Sequence, residues 1–374
     1  MTNVTLNLNP PQISLPAQII FGLIVGVLLI TSTIGNITVI HVLTGKEKRL
    51  RKRTRSRYMI PIYRSHSTTS TFLLNLSVAD ILHIVLCAPF TYVADVILAY
   101  WPFGSVLCIM INYLQGLVVS LCAFTHIVIS LDRLAAVQYS MWRRRVLSTR
   151  RSRNVVFAIW LCSMLVAVPS LFVCRVVNSQ DGLSHCQEIW SNIYQPNSTN
   201  ENVQAETLYS LVLMCIQYVI PLVTIAGTYS AIVFHIWGRG TPGETNTPHD
   251  RKRGLAKKKL IKMVITVASL YAFCQLPRHV VYLVTLNDQD AFESSAMMYT
   301  WLGCQICTWS ATTYNPFIYA WMNASFRSEM SKFMRRLFCF WGKYDHFNES
   351  DELKEYRGRM ISSSPTSTVV QHHL

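Results

Sequence analysis

At 374 residues the chain has room for two or three soluble domains, but only 14% of it is charged, against roughly 25% in soluble proteins, so its solvent is apolar. A net charge of +15 would suit nucleic acid only if it lay on one soluble face. The basic residues fall instead into alternate gaps between hydrophobic runs, which excludes a nucleic-acid-binding domain.

Seven runs are long enough to cross a bilayer at about 20 residues per helix: 17–43, 68–98, 106–139, 155–174, 207–236, 259–286 and 297–321. They predict an all-α membrane protein. Residues 1–16 form an outer N-terminus, 17–321 a seven-helix bundle, 322–338 a short amphipathic eighth helix and 339–374 a cytoplasmic tail. Orientation follows from charge: Lys46–Arg57, Arg143–Arg153, Arg239–Lys262 and Arg327–Arg336 all land on one side, which the positive-inside rule makes the cytoplasm. Residues 1–16 carry no charged side chain, placing the N-terminus outside. The first run is too long for a cleaved signal and lacks a basic start, so it reads as an uncleaved helix.

Along the chain, Asn3 and Asn197 sit in Asn-x-Ser/Thr matches on the outer side and are the expected glycosylation sites. Matches at Asn36, Asn75, Asn323 and Asn348 fall in spans or in the cytoplasm. Asp80 lies within the second span, where an ionisable group costs about 2.5–3.5 kcal/mol to insert. It needs a proton, a bound cation such as sodium, or polar partners, for which Asn36 and Asn315 are available. Cys108 starts the third span and Cys186 lies in the largest outer loop, so both meet an oxidising compartment and are able to pair. At 1.5 Å per residue Arg133 lies about 37 Å beyond Cys108, at the inner interface. It either anchors there by snorkelling, or is held by Asp132 and released to a partner.

The outer side is acidic. Asp95, Asp181, Glu188, Glu201 and Glu206, then Asp288, Asp290 and Glu293, are offset only by Arg175. Such a surface steers cations, and an ordinary solvated surface explains it equally well. Prolines 89, 169, 221, 277 and 316 fall inside spans, where each removes a helix hydrogen bond and makes a hinge. Cys304 and Cys307 form a C-x-x-C with no second ligand pair, which points to core packing over metal or redox chemistry. Cys339, after the basic amphipathic stretch Phe326–Phe338, is a palmitoylation candidate, the alternative being a free thiol. The tail at Ser362–Thr368 is phosphorylatable or plain low complexity.

Gly35-Asn36, Leu76-Ser77-Val78-Ala79-Asp80, Trp101-Pro102-Phe103-Gly104 before Cys108, Asp132-Arg133-Leu134, Trp160, Pro221 with Tyr229, and Asn315-Pro316-Phe317-Ile318-Tyr319 occur in order. In these motifs the chain resembles the rhodopsin-like G-protein-coupled receptors along nearly its whole length. Within that family it is similar to the tachykinin, neuropeptide FF and neuropeptide Y receptor groups. The resemblance implies a plasma-membrane receptor that performs no chemistry. A peptide would bind outside and a heterotrimeric G protein inside, with receptor kinases and arrestin at the tail and lipids around the bundle. It implies that Cys108 pairs with Cys186, that Asp80 and Asn315 form a sodium-linked switch, and that Arg133 is freed as Tyr229 and Tyr319 swing toward it. Sodium is the only cofactor expected.

Departures from the family pattern matter as well. Leu134 replaces the third residue of Asp-Arg-Tyr, and Cys274-Gln275-Leu276-Pro277 lacks the usual tryptophan, so activation passes through another side chain, with Tyr271 the candidate. Lys257 stands where many members carry an acid that locks the arginine, so raised basal activity is expected. An amine ligand is excluded by Gln115 in place of an aspartate, and a retinal chromophore by the missing seventh-span lysine. Gln115, Arg278, His279 and Tyr282 should face the ligand cavity, with Arg278 for a ligand acid or carboxylate and Asp95, Glu188 and Asp288 for ligand arginines. Each of these could equally make a structural hydrogen bond. The alternative class is a transporter or channel using Asp80 and Arg278 in an ion path. No His-Glu-x-x-His or Gly-x-Ser-x-Gly motif points to an enzyme.

Overall fold

The computed structural model of the chain describes residues 13–54, 62–138, 149–179, 182–190, 199–238, 248–287, 294–322 and 324–338. Eight helical segments follow one another among the described residues: α1 (Leu15–Thr54), α2 (62–98), α3 (Gly104–Gln138), α4 (Thr149–Val173), α5 (199–238), α6 (Pro248–Asn287), α7 (Ser295–Met322) and α8 (Ala324–Phe338). Between α4 and α5 an antiparallel hairpin pairs β1 (Cys174–Asn178) with β2 (Ser184–Glu188), with Val176 opposite Cys186. The chain divides into two compact units, Met1–Met330 and Ser331–Leu374; of the second, only the end of α8 is described.

All seven predicted spans are helices. Five are long and apolar enough to cross a membrane by length and composition alone: Leu15–Gly45, Thr69–Leu98, Gly104–Gln138, Arg150–Val173 and Ala205–His235. α6 and α7 complete the bundle and also bury polar groups, Gln275 and His279 on one and Gln305, Thr308 and Asn315 on the other. α1 runs on to Thr54 and α6 begins at Pro248, beyond the predicted 43 and 259. Hydropathy marks where the bilayer ends, but Lys and Arg are good helix formers and carry the helix into water. Residues 44–54, after the first predicted span, therefore continue α1.

α3 is the central helix, with residues buried from Cys108 to Arg133. Around it lie an inner cluster holding Phe72, Ile129, Tyr229, Val267 and Tyr319 and a middle cluster holding Leu76, Leu117, Leu121 and Tyr271. Polar side chains inside the bundle bond to one another because hydrocarbon offers no alternative. Ser32 donates to Thr312 at 2.9 Å, and the Asn36 amide donates to the Thr312 carbonyl at 2.9 Å. Asn75 donates to Thr125 at 2.8 Å and accepts from the Trp160 indole at 2.8 Å. Asn36 thus ties α1 to α7, and the expectation that it partners Asp80 is corrected: its amide is spent on Ser32 and Thr312.

Two of the five span prolines carry more than a kink. The turns His83–Cys87 and Cys215–Val219 are π-helical, and Ala88 and Ile220 donate to His83 and Cys215, five residues back. Pro89 and Pro221 follow directly and have no N–H to give, so each π turn stands where the helix ladder loses its next donor.

α1 meets α7 at a glycine. A Cβ on Gly35 would stand 2.8 Å and 2.9 Å from the ring carbons of Pro316, while one on Gly26 would meet nothing within 4 Å. Gly35→Ala should therefore overpack a stiff contact, costing about 1–3 kcal/mol. Thermal unfolding of the detergent-purified protein should begin several degrees lower for Gly35→Ala than for Gly26→Ala; equal midpoints would show that the contact yields.

Candidate functional site

The outer end is roofed by the hairpin. Cys108 at the head of α3 is disulfide-bonded to Cys186 on β2, with Cα atoms 5.6 Å apart. A second tie joins the Trp101 backbone N–H to the Ser184 carbonyl, and the Trp101 indole donates to the Gly104 carbonyl at 2.9 Å. Phe103 packs edge-on against both Phe90 and Trp101, at 5.1 Å each. Gly104 has φ +76°, a left-handed turn that glycine takes without strain. The Trp-Pro-Phe-Gly motif is thus the abutment on which the hairpin rests.

Under that roof a cleft opens between the hairpin, α5 and α6. Glu188, Tyr209, Gln217, Arg278, His279 and Tyr282 line it. The Arg278 guanidinium lies over the Tyr282 ring at 5.7 Å, His279 packs against Tyr218 at 5.0 Å, and Trp190 packs against Tyr209 at 5.0 Å. Glu188 accepts from the Trp190 indole at 3.3 Å. Its side chain is open to water on one side. The protein around the carboxyl raises its pKa, while the Trp190 bond lowers it, Glu206 raises it and Arg278 lowers it. The cleft therefore offers a carboxylate and a guanidinium set among aromatic rings, a pairing suited to a ligand with both charge and aromatic character.

Four expected cavity residues meet here: Glu188, Arg278, His279 and Tyr282. Two do not. Gln115 is half-buried and directs its amide at the Thr91 hydroxyl, 3.5 Å away, and Asp95 sits in the π-helical stretch Val93–Leu98 at the outer end of α2; neither lines this cleft. Asp288, Asn3, Asn197 and Cys339, and the side chain of Lys257, lie outside the described residues. Sequence reading missed Tyr209 and Gln217, because a tyrosine and a glutamine in an apolar helix carry no motif. Gln217 donates to Ser120 at 3.0 Å and to the Gly116 carbonyl at 3.3 Å, which joins the α5 π turn to α3.

Deeper in the bundle is a polar chamber lined by Asp80, His83, His126, Tyr271, Gln275 and Asn315, among others. Asn315 donates to Asp80 Oδ2 at 2.7 Å, and the Cys122 thiol points at Oδ1 from 3.9 Å. A small hard cation takes oxygen ligands, and Asp80 is the one carboxylate of the lining that would hold it. Pro277 and Pro316 interrupt α6 and α7 beside it.

At the inner end Arg133 pairs with Asp132 at 3.2 Å and donates to the Thr69 hydroxyl, which itself donates to Asp132 at 3.3 Å. Arg133 is 5% exposed, so it is held inside the bundle and does not snorkel outward. Tyr229 and Tyr319 are buried nearby in the inner cluster, Tyr319 edge-on to Phe326 at 6.1 Å. Neither tyrosine hydroxyl has a hydrogen-bond partner among the described residues. Cys304 is buried against the bundle as a free thiol, with Cys307 half-buried one turn on, and no cluster of three or more His, Cys, Asp or Glu side chains able to hold a metal occurs among the described residues.

A family model described as the 7 transmembrane receptor (rhodopsin family) matches residues 35–319. The RYamide receptor of Drosophila melanogaster is 32% identical over 276 residues, 73% of this chain and 58% of that protein. The RYamide receptor of Tribolium castaneum is 32% identical over 275 residues, 73% of each chain. The tachykinin-like peptides receptor 86C of Drosophila melanogaster is 28% identical over 335 residues, 88% of this chain and 60% of that protein. The chain thus spans less than two thirds of both Drosophila proteins.

The hairpin ties predict a shared phenotype. Cys108→Ser and Cys186→Ser, singly or together, should lower surface display to a similar degree, because each breaks the same link. Unequal single variants, or a double variant worse than either, would show that the cysteines act separately; cell-surface staining of tagged chains decides.

Proposed function

The chain belongs to the rhodopsin family of seven-transmembrane receptors, and from that membership we propose that it is a plasma-membrane receptor for a cationic, amidated neuropeptide, signalling through a cytoplasmic heterotrimeric G protein. The observation that carries the ligand class is the cleft, where Glu188 and Arg278 face a common space among aromatic rings. A ligand arginine pairs with Glu188. The ligand's aromatic terminus packs on Tyr209, Tyr282 and Trp190, and Arg278 donates to its terminal carbonyl or to an acidic side chain. The named receptors for RYamide and for tachykinin-like peptides support a short peptide ligand. The transporter or channel alternative finds no support in the family or its relatives.

No bond is made or broken; the protein redistributes between two helix packings, and the ligand shifts that equilibrium only by its differential affinity for them. Binding under the roof pulls on α5 and α6, the π turn and Pro277 give these helices their hinges, and Arg133 leaves Asp132 and Thr69 to meet the G protein. Sodium at Asp80, with Asn315 and Thr312, stabilises the resting packing. The orientation is N-terminus outside and C-terminus inside, with Asn3 and Asn197 glycosylated, Asp95, Gln115 and Asp288 as ligand contacts outside the cleft lining, Cys339 palmitoylated, and the tail serving receptor kinases and arrestin.

A panel of peptides ending in Arg-Phe-amide and Arg-Tyr-amide, with their free acids, should give a saturable calcium or cyclic-nucleotide response in cells expressing the chain. Glu188→Gln should weaken the amidated ligand about tenfold, or ~1.4 kcal/mol, and Arg133→Ala should abolish the response at normal surface display. Silence across the panel from a displayed receptor would discard the cationic-peptide class. Asp80→Asn should remove the effect of sodium on agonist affinity, and a retained sodium effect would eliminate the cation site.

A further inference from the structure

Arg133 and Arg175 show how the bundle fastens a guanidinium. Arg133 is bonded to Asp132 and Thr69, and Arg175 donates to the carbonyl oxygens of Cys174 at 2.7 Å and Leu171 at 3.4 Å. Arg278 is treated differently. It is half-buried in the lining of the cleft, yet it makes no ion pair and no hydrogen bond among the described residues, and its Nε–H is buried without a partner. The Tyr282 ring beneath it, 5.7 Å from the guanidinium carbon, attracts a cation only modestly.

A guanidinium cannot shed its proton to escape this position, and a cation drawn away from water without an anion is costly. The charge of Arg278 acts on His83 and Cys87 of α2, on Tyr271 and His279 of α6 and on Glu188 of β2. Of these only Glu188 is a carboxylate. It forms no ion pair with Arg278 and accepts from the Trp190 indole instead, while Asp80 in the chamber below takes the Asn315 amide. Beside Arg278, His279 is 7% exposed and its Nε2 also has no partner among the described residues. That nitrogen is an N–H donor in one of the two neutral tautomers. Two unpartnered donor groups, one of them permanently charged, thus line the same cleft, and a small anion satisfies both.

We propose that Arg278 and His279 form a site for a small monovalent anion, chloride in the fluid outside the cell, which neutralises the guanidinium until the terminal carbonyl or an acidic group of a ligand replaces it. The replacement rests on the receptor reading; the anion site itself does not. Because anion and ligand compete for one guanidinium, chloride stabilises the ligand-free protein and weakens the ligand. The site lies in the outer cleft and takes a negative ion, so its effect separates from that of a cation at Asp80 when one ion is exchanged at a time.

Exchange of gluconate for chloride at constant sodium tests the site on the purified full-length chain in nanodiscs, without peptide. Chloride at roughly ten times its half-saturating concentration should raise the thermal midpoint by about two degrees, and bromide should act alike. Arg278→Gln should lose the shift, Arg278→Lys should keep part of it because a charge is restored, and Arg175→Gln should keep all of it. The chloride nuclear-resonance line of the parent should broaden with added protein and narrow again with bromide, a measurement that serves if the Arg278 variants do not fold. In the presence of an active amidated peptide, the same exchange should weaken binding about tenfold in the parent and leave it unchanged in Arg278→Gln. No shift and no broadening in the parent, or an equal shift in Arg278→Gln, would overturn the anion site. A peptide affinity indifferent to chloride would overturn the replacement. Silence of every peptide would defeat the receptor reading, and the midpoints and line widths would still decide the site.

Discussion

In an apolar slab a backbone amide finds its partner inside its own helix or pays the full cost of being unpaired, and most of this structure is a response to that rule. Where Pro89 and Pro221 withhold an N–H, the preceding turn widens to a π turn. Where polar side chains enter the slab they pair across helices, as Ser32 and Asn36 do with Thr312 and Asn75 does with Thr125 and Trp160. These bonds are individually modest, about 0.6 kcal/mol on average in membrane bundles, but their fixed directions set the register of α1 against α7 and of α2 against α3 and α4. The Gly35–Pro316 contact gains its closeness from the same register.

The two ends of the bundle solve opposite problems. Outside, the hairpin is fastened through the disulfide and through the Trp101–Ser184 bond, so the roof stays in place while the cleft beneath it is lined by groups able to exchange partners. Inside, Arg133 is 5% exposed and its guanidinium is bonded to Asp132 and Thr69, a charge held within the bundle. Between them lie His126 Nε2, the Tyr271 hydroxyl and Gln275 Oε1, which have no hydrogen-bond partner among the described residues.

Much of the architecture was legible because it rests on one-dimensional signals. Seven apolar runs, the alternating basic blocks and the position of Cys108 relative to Arg133 are properties of spacing. What could not be read depends on which residues face each other across helices. Asn36 and Asn315 are alike in sequence as possible partners of Asp80, yet Asn315 donates to it while the Asn36 amide bonds Ser32 and Thr312. Gln115 and Asp95 do not line the cleft with Glu188 and Arg278, because position along a helix does not fix which way a side chain faces. Tyr209 and Gln217 had no motif to mark them, and His126 looks in sequence like any polar residue in an apolar run until Tyr271 is found against it. The extension of α1 to Thr54 was hidden for another reason: hydropathy reports where lipid ends, and a helix does not stop there.

The π turn in α5 also bears on descent. Relative to an α-helix it contains one extra residue, and one residue turns a helix by about 100°. The outer part of α5, which brings Tyr209, Ser210, Leu213 and Met214 to the cleft, is therefore offset by one position from the inner part, which brings Tyr229 to the inner cluster. Any relative with a regular fifth helix has one residue fewer across this stretch. Counting outward from Pro221 without a gap would then match cleft residues of this chain to lipid-facing residues of the other, so comparisons of ligand preference should be anchored separately on the two sides of Cys215–Val219.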